Sequence, residues 1–271
     1  MARKPWQRSP QDRRPRNKPL PPPRGRRRPA QPRADGPAIL YGWHTVKAAL
    51  ENPARRIHRL MATENALRRL AADGVALPVA PEAVRPEAID ARLGPDAVHQ
   101  GLLAEADPLP APALEDLAAD GIVLVLDQIT DPHNVGAILR SAAGFAVRAI
   151  VTTARHSPEA TGVLAKAASG ALELVPLVTV QNLARGMEAL RQRGFLLVGL
   201  DSAGDADLAD MSLRAPLALV LGAEGKGLRQ LTRATCDRLA RIDLPGAIKS
   251  LNVSNAAVLS LYVASRAIAR P

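Results

Sequence analysis

Six short apolar runs are spaced along the C-terminal part of the chain, at 122–126, 149–152, 172–178, 195–200, 217–221 and 239–244. Segments with helical spacing lie between most of them, at 134–145, 159–168, 182–193 and 228–236. Runs apolar at every position predict strands buried on both faces. Their alternation with helices predicts a parallel sheet covered on both sides. In 134–145, Val135, Ile138, Leu139 and Ala142 fall on one side. The last segment, 252–269, is apolar nearly all round, which predicts a helix buried in the core or in a subunit interface.

Upstream the pattern is finer. It predicts helices at 44–51, 65–72 and 82–92, and strands at 57–62, 76–80 and 98–104. Pro108, Pro110 and Pro112 then mark a linker. The predicted organisation is therefore a tail at 1–37, a small α/β unit at 38–106, a linker at 107–119 and a larger α/β domain at 120–271.

Charge changes the picture only at the N-terminus. The chain has a net charge of +10, and the whole excess sits in residues 1–37, with 12 Lys/Arg against 2 Asp/Glu. Ten of the 24 prolines are there too. Such a segment cannot bury enough apolar surface to offset its ordering entropy, so it is expected to be disordered. Its arginine density fits an arm that holds polyanions, RNA above all; a solubilising tail is the other reading. No apolar core follows the basic start, and no stretch of about 18 uncharged apolar residues occurs, so neither a secretory signal nor a membrane span is expected. One cysteine, Cys236, excludes an internal disulfide and fits a reducing cytoplasm; it reads as a small buried residue. Aromatic residues are only 2% of the chain, too few for the base-stacking platforms of single-strand binders, so RNA contact is expected to rest on phosphate and shape.

The chemistry gathers at predicted strand ends. Gly222, Gly225 and Gly227 follow the 217–221 strand, and Pro245-Gly246 follows the 239–244 strand. Ser250, Asn252 and Ser254 stand at the start of the last helix. The glycine spacing is neither that of a dinucleotide fold nor that of a phosphate loop, and alone it describes any strand–turn–helix connection. After the 122–126 strand come Asp127, Gln128, Thr130, Asp131, His133, Asn134 and, six residues later, Arg140. Taken singly, Asn134 reads as a helix N-cap, Arg140 as a surface ion pair and His133 as a structural histidine. Asp127 and Asp131 have no second ligand cluster near them, so no metal site is expected.

Three segments together carry more: Asp131-Pro132-His133-Asn134-Val135-Gly136 with Arg140, Leu221-Gly222-Ala223-Glu224-Gly225-Lys226-Gly227, and Ser250-Leu251-Asn252-Val253-Ser254. In this order they resemble the three motifs of the SpoU (TrmH-type) RNA ribose 2′-O-methyltransferases. YGWHTVKAALEN and HQGLLAEA in the first unit resemble that family's small ribosomal-protein-like substrate-binding module. The layout is similar to the branch that acts on guanosine in 23S rRNA. Asn255 departs from the small apolar residue expected after Ser254.

The resemblance implies an α/β SPOUT-type domain with a deep trefoil knot, a homodimer, and S-adenosylmethionine as methyl donor. It implies that Arg140 is catalytic, with Asn134, Glu224, Ser250 and Asn252 around it. It assigns Leu221, Gly222, Ile242, Leu244 and Leu251 to the cofactor. A guanidinium stays protonated at any working pH, so an electrostatic clamp on phosphate and developing alkoxide suits Arg140 better than a base. A bound phosphate or His133 are the other candidate proton acceptors. Two alternatives stand beside the leading reading: a tRNA methyltransferase, and a non-catalytic RNA-binding assembly factor. The complete set Asn134, Arg140, Glu224, Ser250 and Asn252 favours an enzyme.

Overall fold

A computed structural model describes residues 37–154 and 162–269, together with Met1. The predicted tail, and the start of the helix expected at 159–168, lie outside the described residues. Residues 37–271 group as one compact unit.

The large sheet has seven strands: β5 (Ile122–Asp127), β6 (Ala149–Thr153), β7 (Leu177–Val180), β8 (Leu196–Leu200), β9 (Ala206–Asp207), β10 (Leu217–Gly222) and β11 (Arg238–Arg241), in the order β7-β6-β5-β10-β8-β11-β9. Each neighbouring pair is parallel. Alternation along the central strands explains the unbroken apolar runs. Ile122, Leu124 and Leu126 of β5, with Leu217, Leu219 and Leu221 of β10, point to one face. There they meet helices α4 (Pro132–Gly144), α5 (Gly162–Ala168) and α8 (Val253–Ile268). Val123, Val125, Ala218 and Val220 point to the other face, against α6 (Leu183–Gln192) and Phe195. A fifth helix of this domain, α7 (Gln230–Thr235), connects β10 to β11.

The connection from the first unit is packed rather than free. Leu114 and Leu117 are buried under the second face, and Arg193 donates to the carbonyls of both. The first unit is a four-stranded sheet of β1 (Ala38–Tyr41), β2 (Ile57–Ala62), β3 (Glu82–Ala83) and β4 (Leu102–Ala106), in the order β1-β4-β2-β3. Its helices are α1 (Trp43–Glu51), α2 (Glu64–Ala72) and α3 (Pro86–Leu93).

Five expectations need correction, the first being the strand expected at 98–104, which forms at Leu102–Ala106 after a turn. No strand forms at 76–80, where Pro78 and Pro81 deny the ladder its N–H donors; the two residues of β3 pair with β2 instead. The helix expected at 82–92 therefore starts only at Pro86. The 172–178 run begins as a 3-10 turn, Ala171–Glu173, set by the left-handed Gly170, and becomes strand only at Leu177. The 239–244 strand stops at Arg241, and the chain then leaves the sheet.

Candidate functional site

The site lies beyond the carboxyl ends of the central strands, the usual place for ligands in an open parallel sheet. Leu221 pairs with Leu126, and Gly222 with Asp127, so β5 and β10 end side by side. Each then feeds a polar loop.

The loop after β10 is built by its glycines. A Cβ on Gly222 would lie 2.2 Å from the Gly227 carbonyl carbon and 2.4 Å from the Leu228 nitrogen. Gly225 and Gly227 have φ of 75° and 65°, the left-handed region that favours glycine. The Gly227 N–H donates to the Ala223 carbonyl at 2.8 Å, which closes the loop on itself. Asp127 locks its far end. Its fully buried carboxylate accepts from the Arg229 backbone N–H at 3.0 Å and from Arg229 Nε at 2.7 Å. That pairing was not legible in the sequence. Asp127 stood out only as a metal candidate, and nothing in the spacing ties it to a residue 102 positions away.

The loop after β5 enters α4 through Asp131. Its side chain caps the helix by accepting from the His133 N–H at 3.0 Å, and Pro132 fills the first turn. Asp131 thus takes the capping role that Asn134 could have held, and Asn134 is left to reach outward. Asn252 Nδ2 donates to Asn134 Oδ1 at 3.0 Å and lies 3.5 Å from Glu224 Oε2. Asn252 Oδ1 accepts from Ser254 N at 2.9 Å and from Ser254 Oγ at 2.6 Å, and so caps α8. One side chain therefore ties together residues from all three motifs.

The structure brings Asn134, Glu224 and Asn252 into one cluster. Ser250 is exposed on the stretch leading to α8, behind a turn that Lys249 closes by donating to the Leu244 carbonyl at 2.7 Å. Arg140 does not join the cluster. It stands six positions after Asn134, which sets the two about 120° apart around α4. It is exposed and makes no hydrogen bond or ion pair to another described residue. Of the apolar candidates, Leu221 is buried, and Ile242, Leu244 and Leu251 are half-buried. Ile242 lines a groove of about 410 Å³ with Leu208, Leu259 and Val263. The Asn134–Glu224–Asn252 cluster is not among the groove's walls. Beside Ile242, hydrogen bonding from Arg241 holds the Asp243 carboxyl below its usual range.

Neither acidic group first considered for a metal is free for one, since Asp127 is taken by Arg229 and Asp131 by its cap. No cluster of metal-binding side chains occurs among the described residues. No described helix is long and apolar enough to cross a membrane. Cys236 lies under the second face, and its Sγ donates to the Thr232 carbonyl at 3.3 Å. Burial pushes its thiol up to about 12.

The chain has relatives among known proteins. The chain is 40% identical over 245 residues to the 23S rRNA (guanosine-2′-O-)-methyltransferase RlmB of Vibrio cholerae, covering 84% of this chain and 96% of that one. It is 38% identical over 241 residues to the protein of that name from Pseudomonas putida, covering 84% and 95%. Among solved structures, the SpoU methyltransferase AviRb from Streptomyces viridochromogenes, in complex with the cofactor AdoMet, aligns with a TM-score of 0.71 at 27% identity over 85% of this chain and 90% of that one. Residues 39–112 match the RNA 2′-O ribose methyltransferase substrate-binding family. Residues 121–262 match the SpoU rRNA Methylase family, which takes in both strand-end loops and the cap of α8. With its three motifs joined at Asn252 and both of its domains matched, the chain belongs to the SpoU rRNA methylase family.

Proposed function

We propose that this protein transfers a methyl group from S-adenosylmethionine to the 2′-hydroxyl of a guanosine ribose in 23S rRNA. The observation that carries the reading is the Asn134–Asn252–Glu224 cluster at the adjoining ends of β5 and β10. It sits in a chain whose relatives bear that name over nearly their full length.

The residues present fit the cofactor. Ile242, Leu244 and Leu251 offer apolar surface for an adenine, Leu221 packs in the core beneath the loop, and the stretch from Ile242 to Leu251 runs outside regular structure. Gly222 keeps side-chain atoms out of the loop floor. When bound, S-adenosylmethionine supplies an electrophilic methyl on a sulfonium. The chain supplies placement and charge. Asn252, held by its cap and by Asn134, presents a fixed amide, and Glu224 lends a carboxylate beside it. Arg140 carries the permanent positive charge that grips a phosphate and stabilises the oxygen as it loses its proton. Ser250 lies on the stretch that reaches the same cluster.

The protein works as a two-fold dimer. In one copy Val258, Leu259 and Tyr262 leave an exposed apolar stripe on α8, with Tyr262 at 56% exposure. The neighbouring helix α4 sends Arg140 away from its own Asn134. Burying the stripe against a second copy accounts for both, with Arg140 serving the partner's site. The family resemblance gives this domain a trefoil knot; the observation beside that reading is the start of α8, where Asn252 lies 3.5 Å from Glu224 beyond β10. The basic residues of 1–37 add a sequence-independent hold on RNA. The test is ribose-methylation mapping of 23S rRNA from cells with and without the gene. Loss of one guanosine 2′-O-methyl group, restored by purified protein and S-adenosylmethionine, is the expected result. An unchanged map contradicts the reading.

A further inference from the structure

The first unit does not hang from the methyltransferase domain by its connection alone. Its apolar core runs into that domain through Ala165 of α5, which packs among Leu40, Trp43 and Val46, and through Leu172. Three glycines let the backbones close. A Cβ on Gly42 would meet the Lys166 side chain at 2.4 Å, one on Gly162 the Tyr41 ring at 2.7 Å, and one on Gly170 the Ala48 Cβ at 2.8 Å. Thr45 Oγ1 donates to the Ala165 carbonyl at 3.0 Å, and Lys166 Nζ donates to Gln100 Oε1 at 3.0 Å.

At the far end of this seam stands an ion pair. Arg55 Nη2 lies 2.6 Å from Glu173 Oε1, and the two side chains are 4% and 3% exposed. Arg55 Nε lies 3.2 Å from both Glu173 oxygens, and Asn52 Nδ2 donates to Glu173 Oε2 at 2.7 Å. Arg55 Nη1 donates to the Asp107 carbonyl at 2.8 Å, at the very start of the connection. Glu173 closes the turn that follows α5. On its other side α5 meets α4 at a glycine contact, where a Cβ on Gly136 would lie 2.4 Å from the Ala167 Cβ. And α4 carries Asn134 and Arg140.

Burying an ion pair gains little net stability, because desolvation offsets the attraction; the best-attested use of such a pair is to fix one register. A planar guanidinium held by a carboxylate, an amide and a carbonyl tolerates no sliding of the seam. We infer that Arg55 and Glu173 are positioning residues: they lock the substrate-binding module to α5, and through α5 to α4, so that the fold fixes the distance from the module's RNA contact to the reacting ribose. This rests on the RNA reading above, since a ruler needs a substrate to measure.

The test uses the full chain with Glu173→Gln and Glu173→Ala. Glutamine keeps the size and one acceptor and removes the charge, so that variant is expected to fold even if alanine does not. Three quantities are read: S-adenosylmethionine affinity by calorimetry, kcat/KM with the nucleotide methylated on a 23S rRNA transcript, and radius of gyration by X-ray scattering. A displacement on the order of 1 Å in placement costs about a hundredfold in rate, so a partial loosening is expected to lower kcat/KM about tenfold. Methyl groups should also appear on neighbouring riboses, and the radius of gyration should rise, with cofactor affinity unchanged within about twofold. Wild-type kcat/KM and a single methylated position in both variants overturn the inference. So does a loss of cofactor affinity equal to the loss of kcat/KM, which marks general damage. If wild-type protein leaves the transcript unmethylated, the functional reading fails on its own, and the scattering comparison still decides whether Glu173 locks the module.

Discussion

The seam between the two domains and the site at the strand ends are built on opposite plans. At the seam the glycines are contact points where another backbone or side chain fills the space, and Arg55 and Glu173 are buried and paired. At the site Gly225 and Gly227 shape an exposed loop, Glu224 and Ser250 are exposed, and so is Arg140 farther along α4. Satisfied, buried groups define rigid regions, while groups left unpaired are those a ligand or a second copy can use. The difference places stiffness between the module and α4, and places unspent bonding capacity at the mouth of the sheet.

The largest effect that separates the two regions is expected from Gly222→Val. Its side chain would enter the Gly227–Leu228 backbone. The loop must then move, S-adenosylmethionine affinity is expected to fall at least about a hundredfold, and the seam should stay intact. Calorimetry and a thermal melt read the two halves of that statement; unchanged affinity removes Gly222 from the site.

Asp127 and Arg229 sharpen the comparison, because this pair is a seam-like lock inside the site. Arg229→Ala leaves a fully buried carboxylate with a backbone N–H and no cation, a loss expected near 3 kcal/mol in urea unfolding. Asp127→Asn removes the charge as well and should cost less, about 1–2 kcal/mol, since the exposed arginine can turn to water. The reverse order would mean that Asp127 does not depend on Arg229.

Removal of residues 1–37 tests the basic segment. It is expected to weaken RNA binding and flatten its salt dependence, with the rate at saturating RNA little changed. An unchanged salt slope assigns the tail to another partner. The smallest effect concerns Cys236. With its thiol pushed up to about 12, it stays protonated at pH 8 and should alkylate slowly in the folded protein and rapidly in denaturant. Fast native alkylation contradicts its burial beneath the sheet.

How much of this was legible in the sequence follows from the range of the forces involved. The central strands of the large sheet were legible because both faces are buried, which leaves unbroken runs such as 217–221, whereas the two-residue edge strand β9 left no run and was missed. The family was legible because three motifs stand in order, and Asn134, Glu224 and Asn252 do meet. Pairings across long separations were not. Asp127 with Arg229 and Arg55 with Glu173 have no local signature that ties one partner to the other. The 172–178 run misled because Leu172 and Val175 pack inward from a turn as readily as from a strand. The direction of Arg140 was legible only once α4 had its register.

Arg140 tests the central claim most directly. Among the described residues it is an exposed cation without a partner, so its loss should leave the fold and the cofactor affinity as they are. Single-turnover methyl transfer by Arg140→Ala, with RNA and S-adenosylmethionine both saturating, is the measurement. A rate at least about a hundredfold below wild type, the scale of one lost transition-state contact, is the result predicted here. A wild-type rate would contradict it and return Arg140 to the surface of the protein.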